Sequence, residues 1–331
     1  MRVIGLACAV PGNRVPSSDF VQYFGEETVE KIVANTGIHE RRFVRHNGCT
    51  SDLCVAAAEA LFEKTSIPRD TIDAVVFVTQ SPDYYCVPAT SCEIQHRLKL
   101  PETVFAFDIA KGCTGYTDGF LVAQGLLQGL GYRRILLLAG DTPSLTADFT
   151  NQGTCMLFGD AGSATILEKS DDPFIHVVGT DGTGALVINT PFGARNRYPM
   201  DFSNLHCVLD GAKVYEFTID RVPDMVKEVL AKAGWSIADT DAFVFHQANH
   251  YIMRNLARMM KIPADKLPIS LDEFGNTSSA SIPLTIVTRL KERLQKSAKL
   301  VLVGFGVGLS WSAVAAEWED TIVCPLVEVE C

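Results

Sequence analysis

The chain has 331 residues, 47% of them hydrophobic and 21% charged, with a net charge of −10 and a pI near 5.2. That size and apolar content suit one large or two medium globular domains and exclude wholesale disorder. The acidic balance argues against non-specific nucleic-acid binding, which needs basic surface, and no apolar stretch is long enough to span a bilayer.

The opening MRVIGLACAVPG reads as a strand and a turn rather than a secretory signal, because its apolar run is short and meets Pro11-Gly12. Ten cysteines lie along the chain: Cys8, Cys49, Cys54, Cys86, Cys92, Cys113, Cys155, Cys207, Cys324 and Cys331. They form no CxxC pair and no Cys/His group with zinc spacing, so no metal site is expected. Most sit in apolar or small-residue runs, which reads as reduced thiols in a cytoplasmic protein.

A strand pattern occupies TIDAVVFVTQSPDY (71–84). Next, FDIAKGCTGYTDGF (107–120) ends a strand-like run, sets Cys113 between Gly112 and Gly115, and opens a helical pattern. RRILLLAGD (133–141) is another strand pattern, and the polar EKSDDP (168–173) is the best boundary, dividing 1–170 from 171–331. Beyond it, FVFHQAN delivers His246 at the end of an apolar run, and HYIMRNLARMMKI continues as a helix. FGNTSSASIP then places Asn276 between Gly275 and Thr277, and the strand KLVLV runs into GFGVG (304–308).

Alternating strand and helix patterns predict an α/β fold with much parallel sheet. The chain also repeats itself. Segment 71–84 resembles 239–251, and 133–141 resembles 298–306, both at an offset of about 165 residues. The shared order and offset predict an internal duplication. With no Pro/Gly/Ser-rich linker between the halves, one compact body is expected, with a site where the halves meet.

Taken singly, each turn has a plain explanation. A lone thiol is commonly core packing, a strand-end histidine commonly structural, and Asn in a Gly-Asn turn tolerates left-handed backbone. GFGVG alone only permits tight turns. Together they make chemical sense. A helix N-terminus favours the thiolate of Cys113, a nucleophile able to hold an acyl group. Neutral His246 and Asn276 can each present an N–H to a developing enolate or oxyanion. Backbone N–H groups of Cys113 and of the GFGVG turn could hold a second oxyanion, and small residues at the turns let an acyl-carrying arm approach.

The set GCTG, HQAN and GNTSSASIP resembles β-ketoacyl-acyl carrier protein synthase III of the thiolase-like superfamily. The likeness runs from TGIHERR (36–42) through FGDAGSA (158–164) to GFGVGLSW (304–311). It implies the internally duplicated thiolase fold, a five-layered αβαβα sandwich, as a homodimer. It implies Cys113 as nucleophile, His246 and Asn276 as its partners, and an oxyanion hole from the backbone of Cys113 with Val307 or the adjacent Gly306. The implied substrates are acyl and malonyl thioesters of coenzyme A or of an acyl carrier protein, with no further cofactor and no nucleic-acid or membrane partner. The implied reaction is acyl transfer to Cys113, then decarboxylative condensation, in fatty-acid or specialised lipid or polyketide synthesis. Acyl transfer from Cys113 to an oxygen or nitrogen nucleophile is the alternative; a silent partner subunit is disfavoured because all three residues are present.

The sequence departs from the family in places. Where members carry a tryptophan and an arginine before TGI to hold coenzyme A, this chain has Lys31 and Asn35, and Gln152 replaces another arginine. Losing an aromatic platform and two cations weakens nucleotide binding. A carrier-protein donor, or coenzyme A held differently, is therefore expected. Arg254, Arg258 and Lys261 share one helix face, either for docking an acidic carrier or as ordinary solvated surface; Ile252, Leu256 and Met259 are expected on the core side. The family's docking lysine appears as Glu216. Lys111 could lower the thiol pKa or point to solvent. Phe305, Trp311, Tyr84 and Tyr85 are candidates for tunnel or dimer contacts, or for plain core.

Overall fold

The computed structural model describes residues 1–45, 47–84, 87–191 and 206–331. Cys86 and Tyr85 lie outside the described residues.

Continuous runs such as AVVFV and ILLLAG bury both faces of their strands, as expected for a sheet covered on each side. In the first sheet, β1 (Arg2–Pro11), β2 (Ala74–Val78), β3 (Phe105–Ile109), β4 (Arg134–Asp141) and β5 (Ala161–Glu168) lie in the spatial order β1-β5-β4-β2-β3. In the second, β6 (Phe174–Thr180), β7 (Ala242–Phe245), β8 (Ala298–Gly306) and β9 (Ser310–Trp318) lie in the order β7-β8-β9-β6.

The two sheets share one pairing plan. β2-β4-β5-β1 joins by a parallel pair and then two antiparallel pairs, and β7-β8-β9-β6 does the same. Even small details recur. The Asp73 carboxylate accepts the Arg134 N–H at 3.0 Å, and the Asp241 carboxylate accepts the Lys299 N–H at 2.7 Å. The sequence matches thus fall on equivalent strands, β2 with β7 and β4 with β8.

Helices fill three layers around the sheets. α1 (Thr50–Thr65) and α2 (Thr90–Arg97) cover the outer face of the first sheet. α3 (Gly115–Gly129) and α6 (Ser281–Thr285) lie between the sheets, in the largest core. α4 (Gly211–Ala233) and α5 (His250–Met260) cover the outer face of the second sheet. The result is the five-layered αβαβα sandwich. The chain crosses from the first sheet to the second between Glu168 and Phe174. The segment 171–331 does not stay in the second sheet, however. Ile322–Val323 and Val327–Val329 return to pair in parallel with β1.

Candidate active site

Cys113 stands two residues before α3, whose N-cap is Thr114. Side chains of this chain itself occupy the clearance left by the flanking glycines. A Cβ on Gly112 would lie 2.2 Å from Gln80 Oε1, and one on Gly115 would lie 2.6 Å from Val78 Cγ1. The glycines therefore serve close internal packing, not the approach of an acyl arm as expected from the sequence.

His246 directly follows β7 and is held by its N–H on the Val303 carbonyl at 2.7 Å. Its ring meets Phe305 edge-on at 5.6 Å. Nδ1 is engaged with Ser281 Oγ at 2.8 Å, and that hydroxyl also reaches the Ser278 carbonyl at 2.8 Å. Nε2 is the ring nitrogen left for the cavity. Burial lowers the imidazole pKa to about 4, so the ring is neutral at physiological pH.

Asn276 is fixed by backbone bonds to the opposite half: its N–H donates to Leu157 O at 2.9 Å, and its carbonyl accepts from Gly159 N–H at 3.1 Å. Its Oδ1 accepts the Ser278 N–H at 3.0 Å. That bond turns the side-chain NH₂ toward the cavity.

The three residues line one cavity of about 160 Å³, together with Phe305, Gly306 and Val307. The backbone N–H groups of Val307 and Cys113 lie close enough to the thiol to favour its ionised form. Gly306 has φ +147°, and a Cβ there would lie 2.7 Å from Cys113 Sγ. Burial nevertheless pushes the thiol up to about 11, with the nearby Asp141 carboxylate adding to the rise. The helix N-terminus does not outweigh burial, so the resting pair is a neutral thiol and a neutral imidazole. The expectation of a resting thiolate is corrected on this point. Lys111 does not reach the thiol; it pairs with Asp118 at 3.3 Å.

The other expected residues lie apart. Lys31 pairs with Glu27 at 2.7 Å on the surface, and Asn35, Gln152 and Glu216 are exposed. Trp311 packs against Phe217 in the outer core rather than on the cavity, and Tyr84 is exposed with its hydroxyl on Glu93. Among the described members of this group, Phe305 is the one in the cavity wall. Arg254, Arg258 and Lys261 are exposed on or just after α5, and none is in an ion pair among the described residues. Met259 is 50% exposed, against expectation, and Met253 takes the buried position beside Ile252 and Leu256. The helix turns Met259 onto the same outer side as Arg258.

Sequence reasoning missed Asp141, Gln80 and Ser281. Asp141 was visible as the acidic end of the apolar run RRILLLAGD, a placement that demands hydrogen-bond partners once buried.

Comparisons with known proteins bear on this geometry. Residues 107–183 match the family model described as 3-oxoacyl-[acyl-carrier-protein (ACP)] synthase III, and residues 230–318 match its C-terminal counterpart. A β-ketoacyl-[acyl-carrier-protein] synthase III of Syntrophomonas wolfei is 32% identical over 326 residues, covering 96% of this chain and 97% of that protein. The crystal structure of a 3-oxoacyl-(acyl-carrier protein) synthase from Burkholderia xenovorans superposes with a TM-score of 0.95 at 36% identity, covering 99% of this chain and 97% of that one. The priming β-ketosynthase of the R1128 polyketide pathway superposes at 0.88 with 28% identity, covering 96% of each chain.

Proposed function

The chain belongs to the β-ketoacyl-acyl carrier protein synthase III family of thiolase-fold condensing enzymes, and on that premise we propose that Cys113, His246 and Asn276 carry a decarboxylative condensation. The observation that supports this most is their convergence on one cavity from two halves of the molecule. An acyl thioester is attacked by Cys113 Sγ; the acyl C–S bond breaks, and the thiol proton ends on the departing thiolate. The acyl-cysteine oxygen then takes the N–H groups of Cys113 and Val307, which lie beside the thiol and favour negative charge there. A malonyl thioester loses carbon dioxide, and the electron pair of the broken C–C bond becomes an enolate. Asn276 Nδ2–H and His246 Nε2–H stabilise its oxygen, the ring taking the tautomer in which Nδ1 accepts the single proton of the Ser281 hydroxyl. The enolate carbon attacks the acyl-cysteine, and the released Cys113 thiolate takes up one proton.

The donor follows from the surface. With Lys31 committed to Glu27 and Asn35 and Gln152 uncharged, a carrier-protein thioester, or coenzyme A held differently, fits better than the family's usual coenzyme A contacts. Arg254, Arg258 and Lys261 form the docking face for an acidic carrier, beside the cavity wall at Asn249 and Ile252. A homodimer is supported by the outer edge of β3, which pairs with no strand among the described residues and leaves Phe105 47% exposed. The nine described cysteines are all free, which fits a reducing cytoplasmic compartment.

The test is to incubate the protein with a panel of acyl-coenzyme A and acyl-carrier thioesters and read the mass added. An acyl adduct on Cys113 that malonyl thioester converts to a β-ketoacyl product supports the reading. An adduct retained in Cys113→Ala, or discharged only to an oxygen or nitrogen acceptor, overturns it.

A further inference from the structure

Asp141 is fully buried at the end of β4, in the wall of the cavity, and the mechanism above gives it no part. Its Oδ1 accepts the Thr79 hydroxyl at 3.0 Å, the Gln80 N–H at 2.7 Å and the Ser81 N–H at 3.2 Å. Its Oδ2 accepts the Ser279 N–H at 3.0 Å. Two of the residues it grips, Gln80 and Ser279, enclose the nucleophile turn. The Gln80 side chain rests on Gly112, and Ser279 Cβ lies 3.2 Å from where a Cβ on Gly115 would sit. Ser279 also follows Ser278, whose N–H holds Asn276 Oδ1 and whose φ of +50° is rare for a non-glycine residue.

We propose that Asp141 is the positioning residue of the site. One carboxylate oxygen fixes the first half's strand-end loop against the Cys113 turn, and the other fixes the second half's 276–279 turn against the same point. The distance between nucleophile and enolate donors is thereby set by one side chain. Burial raises the Asp141 carboxyl pKa, and the four donor bonds oppose that rise. In its ionised form the carboxylate is a negative charge beside Cys113. The other titratable groups around the thiol are His246 and Cys207 in the cavity wall, with Lys111 turned away to Asp118. The charge disfavours a thiolate there and keeps the free thiol unreactive toward chance electrophiles.

Asp141→Asn tests both parts. The amide oxygen still serves the 79–81 loop, but the amide NH₂ faces the Ser279 N–H, donor against donor. Decarboxylation of a malonyl thioester should fall about 100-fold with KM within about threefold, as for donors displaced by about 1 Å. Iodoacetamide labelling of Cys113 at pH 8 should become at least threefold faster, because the repelling charge is gone. Loosened packing would also expose the thiol, so Asp141→Glu, which disturbs the turn and keeps the charge, is the control for it. Asp141→Glu keeps the charge and lengthens the arm, so it should lose decarboxylation while labelling like the parent; it also carries the test if the Asn variant does not fold. Labelling unchanged or slower in Asp141→Asn, or decarboxylation within threefold of the parent in a folded Glu variant, overturns the proposal. Only the decarboxylation arm rests on the condensing reading. If the parent protein condenses nothing, that reading fails, while the labelling arm still decides the role of Asp141.

Discussion

Replacing Gly306 by alanine probes the tightest contact in the site. The new Cβ would lie 2.7 Å from Cys113 Sγ and 2.8 Å from Cys113 Cβ, where ordinary contact begins at 3.4 Å. Relief requires the nucleophile or the β8–β9 turn to move by about 0.7 Å, and misplacement on the 1 Å scale costs roughly 100-fold in rate. The residue also has φ +147°, so alanine adds backbone strain of about 1–3 kcal/mol. The expected outcome is Cys113 acylation slowed by about 100-fold, read by time-resolved mass spectrometry, with a lowered melting temperature. Gly125→Ala is the control. It lies inside α3 with nothing within 4 Å of a built Cβ, and alanine there should stabilise by about 0.5–1 kcal/mol without touching the rate. Acylation by Gly306→Ala within threefold of the parent would refute the steric reasoning.

Asn276→Ala removes one enolate donor and should cost about 10²–10³ in malonyl decarboxylation while leaving Cys113 acylation nearly intact; equal losses in both steps would argue against the assignment. Arg254→Glu with Arg258→Glu should raise KM for a carrier-protein substrate with little change in kcat, and an unchanged KM would remove that face from docking. His246 links stability to pH. Its folded pKa of about 4 lies below the unfolded value of 6.5, so its contribution is complete above pH 6.5. Between pH 6.5 and 4 the unfolded chain binds a proton that the folded one refuses. Stability should fall by about 3 kcal/mol across that window, a loss absent in a folded His246→Gln variant and measurable by urea unfolding at each pH.

The duplication was legible because strands buried on both faces leave long apolar runs, and two such runs recurred at one spacing. Cys113, His246 and Asn276 were readable as candidates because each stands beside small residues in the sequence, and the structure brings all three to one cavity. What escaped was set by three-dimensional neighbours. Nothing local to KGCTG says that Gln80 and Val78 press on its glycines, or that burial lifts the thiol above what a helix N-terminus can lower. Asp141 grips residues 60 to 62 positions before it and 138 after it, so its partners exist only once both halves have met. Met259 was placed inward by spacing, and the packing of α5 against α4 instead selects Met253.

The return of residues 322–329 to β1 has a consequence for biogenesis. β1 leaves the ribosome about 310 residues ahead of the neighbour it waits for, or roughly 15–60 s at ordinary elongation rates. Until then the flank of β1 that will receive Ile322–Val323 and Val327–Val329 exposes unpaired backbone groups. Truncation near residue 320 should therefore leave a nascent chain that carries all three site residues yet is held by chaperones, with its opening strand unsealed.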